Sequence, residues 1–264
     1  MPATVPYGDA DVTDAPASPR PVAIVTGGAR GIGAAIALRL ARAGYDLVIT
    51  YLADADAAEG VAASVLALGA HAVVVRADLQ TDEGIDAPFA LAVSEFGQLD
   101  AVVCNAGVTT RYASLADTPV DEVKRTIDVN FTATVLTARR AVQEFSRTGA
   151  RGTVVTISSG AATIGSPGEY VHYAAAKAAV DAFTTGLGKE VGHLGIRVVG
   201  VAPGLVDTEL HARTGDAGRI DRMAPGIPLQ RAARPDEIAA AVAWLLSEEA
   251  SYVTATTLRV AGGR

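Results

Sequence analysis

From Pro21 onward the chain alternates short runs of β-branched residues with longer segments rich in alanine and leucine. Few folds accommodate that rhythm, because strand, helix and strand in succession return the chain parallel to itself and build one sheet clad by helices. Strands are predicted at Val22–Thr26, Asp46–Tyr51, Ala72–Arg76, Leu99–Asn105, Thr153–Ser158, Arg197–Ala202 and Thr257–Val260. Runs such as AVVC at 101–104 and VVGVA at 198–202 are apolar throughout, the pattern of strands covered on both faces. Helices are predicted at Gly31–Ala43, Ala53–Leu68, Asp82–Phe96, Asp121–Arg147, Tyr170–Leu194 and Pro235–Ser247, with Gly44 and Gly69 where C-terminal caps belong. The fold class that follows is α/β: a doubly wound, seven-stranded parallel sheet with helices on both faces, in one domain over 21–264. Residues 1–20 show neither a basic start nor an apolar run and read as a disordered tail. Residues 204–228, rich in Gly, Pro, Asp and Arg with weak periodicity, read as a lid over a substrate.

Composition removes several function classes. With 264 residues, half of them hydrophobic, one substantial core can form. A net charge of -7 without a basic cluster argues against nucleic acid as partner. Charged residues interrupt every apolar run before the ~18 residues a bilayer span needs, so no membrane partner is expected. The single cysteine, Cys104, permits no internal disulfide, fits a reducing cytoplasm, and reads as small core filler. His71, His172, His193 and His211 lack metal-ligand spacing, so no metal is expected. Trp244, in AVAWLL, is predicted to pack inward from an amphipathic helix.

After the first strand comes Thr26-Gly27-Gly28-Ala29-Arg30-Gly31-Ile32-Gly33 and then an alanine-rich helix. Glycines at 27, 31 and 33 permit a tight turn and close backbone approach, which sets a pyrophosphate on the amides of the helix start. At the end of the second strand, where a carboxylate would grip a ribose diol, stand Thr50, Tyr51 and Leu52. None is negative, and Arg30 can reach a 2′-phosphate with its planar fork of donors. NADP(H) is therefore favoured, with NAD(H) left open by Asp54 and Asp56, which also suit the start of the next helix as caps.

At 173–177 the chain reads Tyr-Ala-Ala-Ala-Lys within a helical segment. Residues four apart share a helix face, so Lys177 can stand near Tyr173 and its charge can lower the phenol's pKa for proton transfer. Ser159, fourteen residues before Tyr173 at a strand end, can polarise a carbonyl oxygen, with Ser158 as the alternative. Asn105-Ala106-Gly107 closes the fourth strand, and Asn130 falls within the long helix predicted after it.

TGGARGIG at 26–33, Asp78, the Asn105-Ala106-Gly107 triplet, Asn130, the serine pair, YAAAK, and Pro203-Gly204 with Thr208 together resemble the short-chain dehydrogenase/reductase family, nearest its 3-oxoacyl-carrier reductases, over roughly 21–264. The resemblance implies a Rossmann-type fold, a catalytic tetrad of Asn130, Ser159, Tyr173 and Lys177, and a water held by Asn130 that links Lys177 to solvent. It implies cofactor contacts at Gly27, Arg30, Gly31, Ile32, Gly33, Tyr51, Asp78 and Leu79. It extends them to Asn105, Ala106, Gly107, Tyr173, Lys177, Pro203, Gly204, Val206 and Thr208. It also implies a homotetramer, or a homodimer. Two departures stand out: the serine-to-tyrosine spacing is fourteen where many members have thirteen, and Thr254-Ala255 replaces a usual Thr-Gly pair. The function so implied is reversible hydride transfer that reduces a ketone or other carbonyl, with a small-molecule carbonyl or alcohol as partner. An NAD(P)-dependent alcohol or sugar dehydrogenase is the alternative within the fold. A dinucleotide-binding sensor or scaffold without chemistry is the alternative outside it, although such a protein has no need of the Tyr/Lys pair.

Overall fold

The structure, a computed structural model, describes residues 20–208, 216 and 218–264. The tail expected over 1–20 and the part of the lid at 209–215 and 217 thus lie, but for Arg20, outside the described residues.

Seven strands form one parallel sheet: β1 (Val22–Val25), β2 (Asp46–Tyr51), β3 (Ala72–Arg76), β4 (Ala101–Cys104), β5 (Thr153–Ile157), β6 (Arg197–Pro203) and β7 (Thr256–Val260). Their order is β3-β2-β1-β4-β5-β6-β7. The helices are α1 (Gly31–Arg42), α2 (Ala55–Ala67), α3 (Asp82–Phe96), α4 (Val120–Ile127), α5 (Ala133–Thr148), α6 (Ala161–Ile164), α7 (Val171–Val191), α8 (Arg219–Met223) and α9 (Pro235–Leu246).

The two-residue repeat of a strand explains the layering. Ala23 and Val25 face a cluster with Ile36 and Leu40 of α1 and Ile238, Val242 and Leu245 of α9. Val22 and Ile24 point the other way, toward Phe89 of α3 and Ala138, Ala141 and Phe145 of α5. Every β1 side chain is thereby buried, which is why the run has no polar member. Fully burying a side chain such as Phe145 contributes roughly 1.5–3 kcal/mol.

Local signals set the helix ends. Asp54 accepts a hydrogen bond from the Ala57 amide at 3.0 Å and so caps α2, the structural role its position suggested. Gly44 and Gly69, past the ends of α1 and α2, take φ of +94° and +78°, the left-handed conformation expected of them.

The helix predicted over Asp121–Arg147 is instead two helices, α4 and α5, joined by a π-helical turn at Asp128–Thr132 that contains Asn130. Apolar spacing continues across the turn, so nothing in the periodicity marks the extra residue. Trp244 does not pack inward: it is 40% exposed, and Ile238, Ala239, Val242, Leu245 and Leu246 form the buried face of α9. Two short helices, α6 and α8, lie where only loop was expected. At the unusual Thr254-Ala255 pair, Ala255 adopts φ +57°, the left-handed conformation glycine takes without steric cost. Its backbone there closes on Gly188 of α7, where any Cβ would come within 2.7 Å of it.

Chain order reverses between β1 and β4: β2 and β3 extend one edge, β4 to β7 the other. Such a switch point opens a crevice at the carboxyl ends of the strands, and the functional residues collect there.

Candidate active site

A cleft of about 850 Å³ occupies the switch point. Every residue singled out above for the cofactor or for catalysis lines it, from Gly27 and Arg30 at one end to Ser159, Tyr173 and Lys177 at the other.

The phosphate end is built by stitching β1 to β4. Thr26 Oγ1 accepts from the amides of Asn105 (2.9 Å) and Ala106 (3.0 Å), while Asn105 Nδ2 donates to the carbonyls of Thr26 (2.8 Å) and Gly27 (3.2 Å). Thr50 Oγ1 accepts from the Gly27 amide at 3.0 Å, tying the turn to β2. A Cβ on Gly33 would stand 2.3 Å from the Gly27 oxygen and 2.6 Å from Asn105 Nδ2, so helix and turn pack too closely for any side chain there. Helix α1 has no side-chain cap and no acidic residue in its first turn. Its leading amides face the cleft with a partial positive charge. Those features fit the pyrophosphate of a dinucleotide.

Asp78, Leu79 and Tyr51 line the adenosine end. Arg30 is there too, its guanidinium 3.4 Å from the Asp54 carboxylate. Asp54 thus caps α2 and also offsets part of the charge of Arg30.

At the far end, α7 delivers Tyr173 and Lys177 one helical turn apart. The Tyr173 hydroxyl faces the side chain of Ser159. Ser158 is turned away, its buried Oγ donating to the Lys177 carbonyl at 3.1 Å, so of the two serines it is Ser159 that faces Tyr173. The fourteen-residue spacing is taken up by α6 and by left-handed residues at Gly165, Ser166 and Gly168. Lys177 is buried and donates to the Ile157 carbonyl at 2.8 Å, with Nζ 5.8 Å from the Tyr173 ring centroid. Burial holds its pKa down to about 8, against a smaller upward pull from Asp181. Burial also pushes the Tyr173 phenol above the ordinary tyrosine value, and the neighbouring Ser159 side chain offsets part of that rise. The Lys177 ammonium is directed at the Ile157 carbonyl.

Asn130 is fully buried in the π turn. Its Nδ2 donates to the carbonyls of Val108 (2.8 Å) and Thr126 (2.9 Å), and its Oδ1 accepts from the Val108 amide at 3.3 Å. A Cβ on Gly107 would lie 2.8 Å from Asn130 Oδ1, so glycine at the end of the triplet leaves room for the Asn130 amide.

The family model described as Enoyl-(Acyl carrier protein) reductase matches residues 27–264. The uncharacterized oxidoreductase YgfF of Escherichia coli (strain K12) is 41% identical over 245 residues, covering 92% of this chain and 99% of that protein. The crystal structure of a short chain dehydrogenase from Burkholderia cenocepacia J2315 in complex with NADP superposes with a TM-score of 0.85 at 36% identity, covering 93% of this chain and 97% of that one. This chain belongs to the short-chain dehydrogenase/reductase family. As a short-chain dehydrogenase/reductase it is an oxidoreductase acting on CH–OH and C=O groups, and NAD(P) is the cofactor class its family uses. A 3-oxoacyl-[acyl-carrier-protein] reductase of Synechocystis sp. (strain ATCC 27184 / PCC 6803 / Kazusa) is 34% identical over 243 residues, 92% of this chain and 96% of that protein.

Sequence reasoning missed part of this dehydrogenase/reductase's cleft. Tyr112 and Tyr170 line it beside Tyr173. Behind them lies Arg219 of α8, only 3% exposed, which donates to both carboxylate oxygens of Glu169 at 2.8 and 2.7 Å. Arg219 and Arg222, in the segment read as a lid, are paired with Glu169 and Asp216 respectively, and Arg213 lies outside the described residues. His172 is buried with its Nε2 3.0 Å from Thr110 Oγ1 and is not part of the cleft wall. Among the described residues no group of three or more His, Cys, Asp or Glu could hold a metal ion, and no helix is long and apolar enough to cross a membrane.

Proposed function

We propose that this enzyme is an NADP(H)-dependent carbonyl reductase that converts a ketone to a secondary alcohol, with Tyr173 as the proton donor. The observation that carries the reading is the meeting of Ser159, Tyr173 and Lys177 at one end of a cleft whose other end is the glycine turn. When bound, NADPH would supply the hydride for the carbonyl carbon from its dihydronicotinamide ring. The oxygen then gains negative charge, which Ser159 stabilises by donating a hydrogen bond and Tyr173 quenches by giving its proton. Because burial keeps the phenol protonated at neutral pH, the resting site presents the acid form that reduction consumes. The π turn ties both amide hydrogens of Asn130 to backbone carbonyls, so its side chain keeps only acceptor capacity for the water implied between Lys177 and solvent. Lys177 provides a buried cation at the floor of the site, between the strand end and the π turn.

The preference for NADP(H) rests on Arg30 in the cleft and on the absence of a carboxylate at Thr50, Tyr51 and Leu52. A ketone panel assayed with NADPH and with NADH tests both halves of the proposal. Turnover with NADPH is expected, and Arg30→Ala is expected to weaken NADPH about tenfold, the worth of one charge-assisted phosphate contact, while leaving NADH unchanged. Tight NADPH binding with no turnover of any ketone would count against the function. An Arg30→Ala variant that weakens both cofactors equally would count against the phosphate contact.

The buried ammonium predicts a pH dependence. Lys177 is charged below about 8 and loses its proton above it. Measured on the free enzyme through kcat/KM for NADPH, activity is expected to be flat near neutrality and to fall about tenfold per pH unit above that point. A profile without a break between about pH 7 and 9.5 removes Lys177's charge from the account.

The homotetramer or homodimer implied by the family resemblance, the cytoplasmic setting and the lid at 204–228 belong to the same proposal.

A further inference from the structure

We propose that Arg219 is a positioning residue of this enzyme: it latches α8 to the corner before α7 and thereby sets the aromatic row that holds Tyr173. The inference rests on Tyr173 being the proton donor. Arg219 reaches across from the segment after β6 to Glu169 and Tyr170, fifty and forty-nine residues earlier in the chain. Besides its two bonds to Glu169 it donates to the Tyr170 hydroxyl at 3.1 Å. Its guanidinium lies 4.4 Å from the centroid of Tyr112 and 5.7 Å from that of Tyr170. Those rings are 5.2 Å apart, and Tyr170 meets Tyr173 edge to face at 5.1 Å and 83°. The Glu169 carbonyl accepts the Ala113 amide at 3.0 Å, which fixes the Tyr112 loop to the same point.

One buried cation therefore joins three separate stretches of chain, and each brings a tyrosine or an anchor to the wall of the cleft. A planar guanidinium suits this place because it can bond bidentately in its own plane and lie against the adjoining tyrosine rings. Lysine could answer the carboxylate but not also the phenol and the rings. Because Glu169 takes up the charge, Arg219 is not poised to hold a substrate anion. It acts through Tyr170 on the orientation of Tyr173.

The test compares Arg219→Met, Arg219→Lys and Glu169→Gln with the parent enzyme in three readouts: steady-state ketone reduction, NADPH affinity, and hydrogen exchange in peptides covering 166–174 and 218–226. For Arg219→Met we expect kcat to fall about thirtyfold, with NADPH Kd within about twofold because the phosphate end is untouched, and exchange in both peptides to rise at least about tenfold. Arg219→Lys should recover part of kcat, and Glu169→Gln, which keeps the Tyr170 bond, should lie between. Should Arg219→Met fail to fold, the other two variants carry the same ordering. Parent-like kcat in all three variants overturns the proposal, and so does a fall confined to KM. Exchange reads the latch without turnover, so a parent enzyme inactive on every ketone fails the reductase reading alone, whereas unchanged exchange in Arg219→Met fails the latch.

Discussion

Replacing Tyr173 with phenylalanine is expected to lower kcat for ketone reduction by about 10²–10⁴, the range that a well-placed general acid contributes. The substitution removes one oxygen and little else. The phenylalanine ring can keep its edge-to-face contact with Tyr170, now at 5.1 Å, and it leaves Lys177 its bond to the Ile157 carbonyl. Only the hydroxyl beside Ser159 and its transferable proton are lost. NADPH affinity should therefore stay within about threefold, less than 1 kcal/mol, when measured by fluorescence titration. A loss shared equally between affinity and turnover would instead mean that the ring shapes the cofactor site. An unchanged kcat would take the phenol out of the chemistry.

The second large effect is expected at the opposite end of the cleft. Gly33→Ala places a methyl 2.3 Å from the Gly27 oxygen and 2.6 Å from Asn105 Nδ2, and neither neighbour can yield without disturbing the stitch between β1 and β4. Relief requires the turn to lift off the helix, which moves the amides meant for the pyrophosphate. Overpacking of this kind costs about 1–3 kcal/mol, so NADPH affinity should fall by up to about 10²-fold. Gly60→Ala is the matching control: it lies in α2 with open space around its would-be Cβ, and helix propensity predicts stabilisation of about 0.5–1 kcal/mol with no change in affinity. Calorimetric titration and thermal unfolding of both variants check the pair. Gly33→Ala binding NADPH as tightly as the parent would show that the turn has slack the distances deny.

These two ends of the cleft differ in how plainly the sequence displays them. The strands were legible because each is a short run rich in β-branched residues, and the inner strands β1 and β4 have no polar member because a doubly wound sheet leaves them no solvent face. The turn at 26–33 was legible for a related reason: its glycines mark places where backbone touches backbone. Tyr173 and Lys177 fall on one helix, where spacing alone brings them together.

The rest depended on contacts that no local pattern records. The π turn around Asn130 adds one residue to a helix whose apolar rhythm runs on, so Asp121–Arg147 reads as continuous. No local pattern singles out Arg219, since its burial requires Glu169, Tyr170 and Tyr112 to converge from elsewhere in the chain. Trp244 shows the opposite error, an aromatic residue assigned to the core by its neighbours although the helix turns it outward. The acid-base pair itself was only half legible. Spacing placed Lys177 near Tyr173, but the direction of its ammonium, toward the Ile157 carbonyl, is set by the end of β5. That direction decides which groups tune the phenol.

The central claim is that hydride delivery and proton donation by Tyr173 meet on one carbonyl in this cleft. Reduction of a ketone panel with NADPH deuterated at C4 of the nicotinamide, followed by mass spectrometry of the products, tests it most directly. The account predicts an alcohol carrying one deuterium at the carbinol carbon with the parent enzyme, formed about 10²–10⁴ times more slowly with Tyr173→Phe. Deuterium absent from every product, or delivered as fast without the Tyr173 hydroxyl as with it, would contradict it.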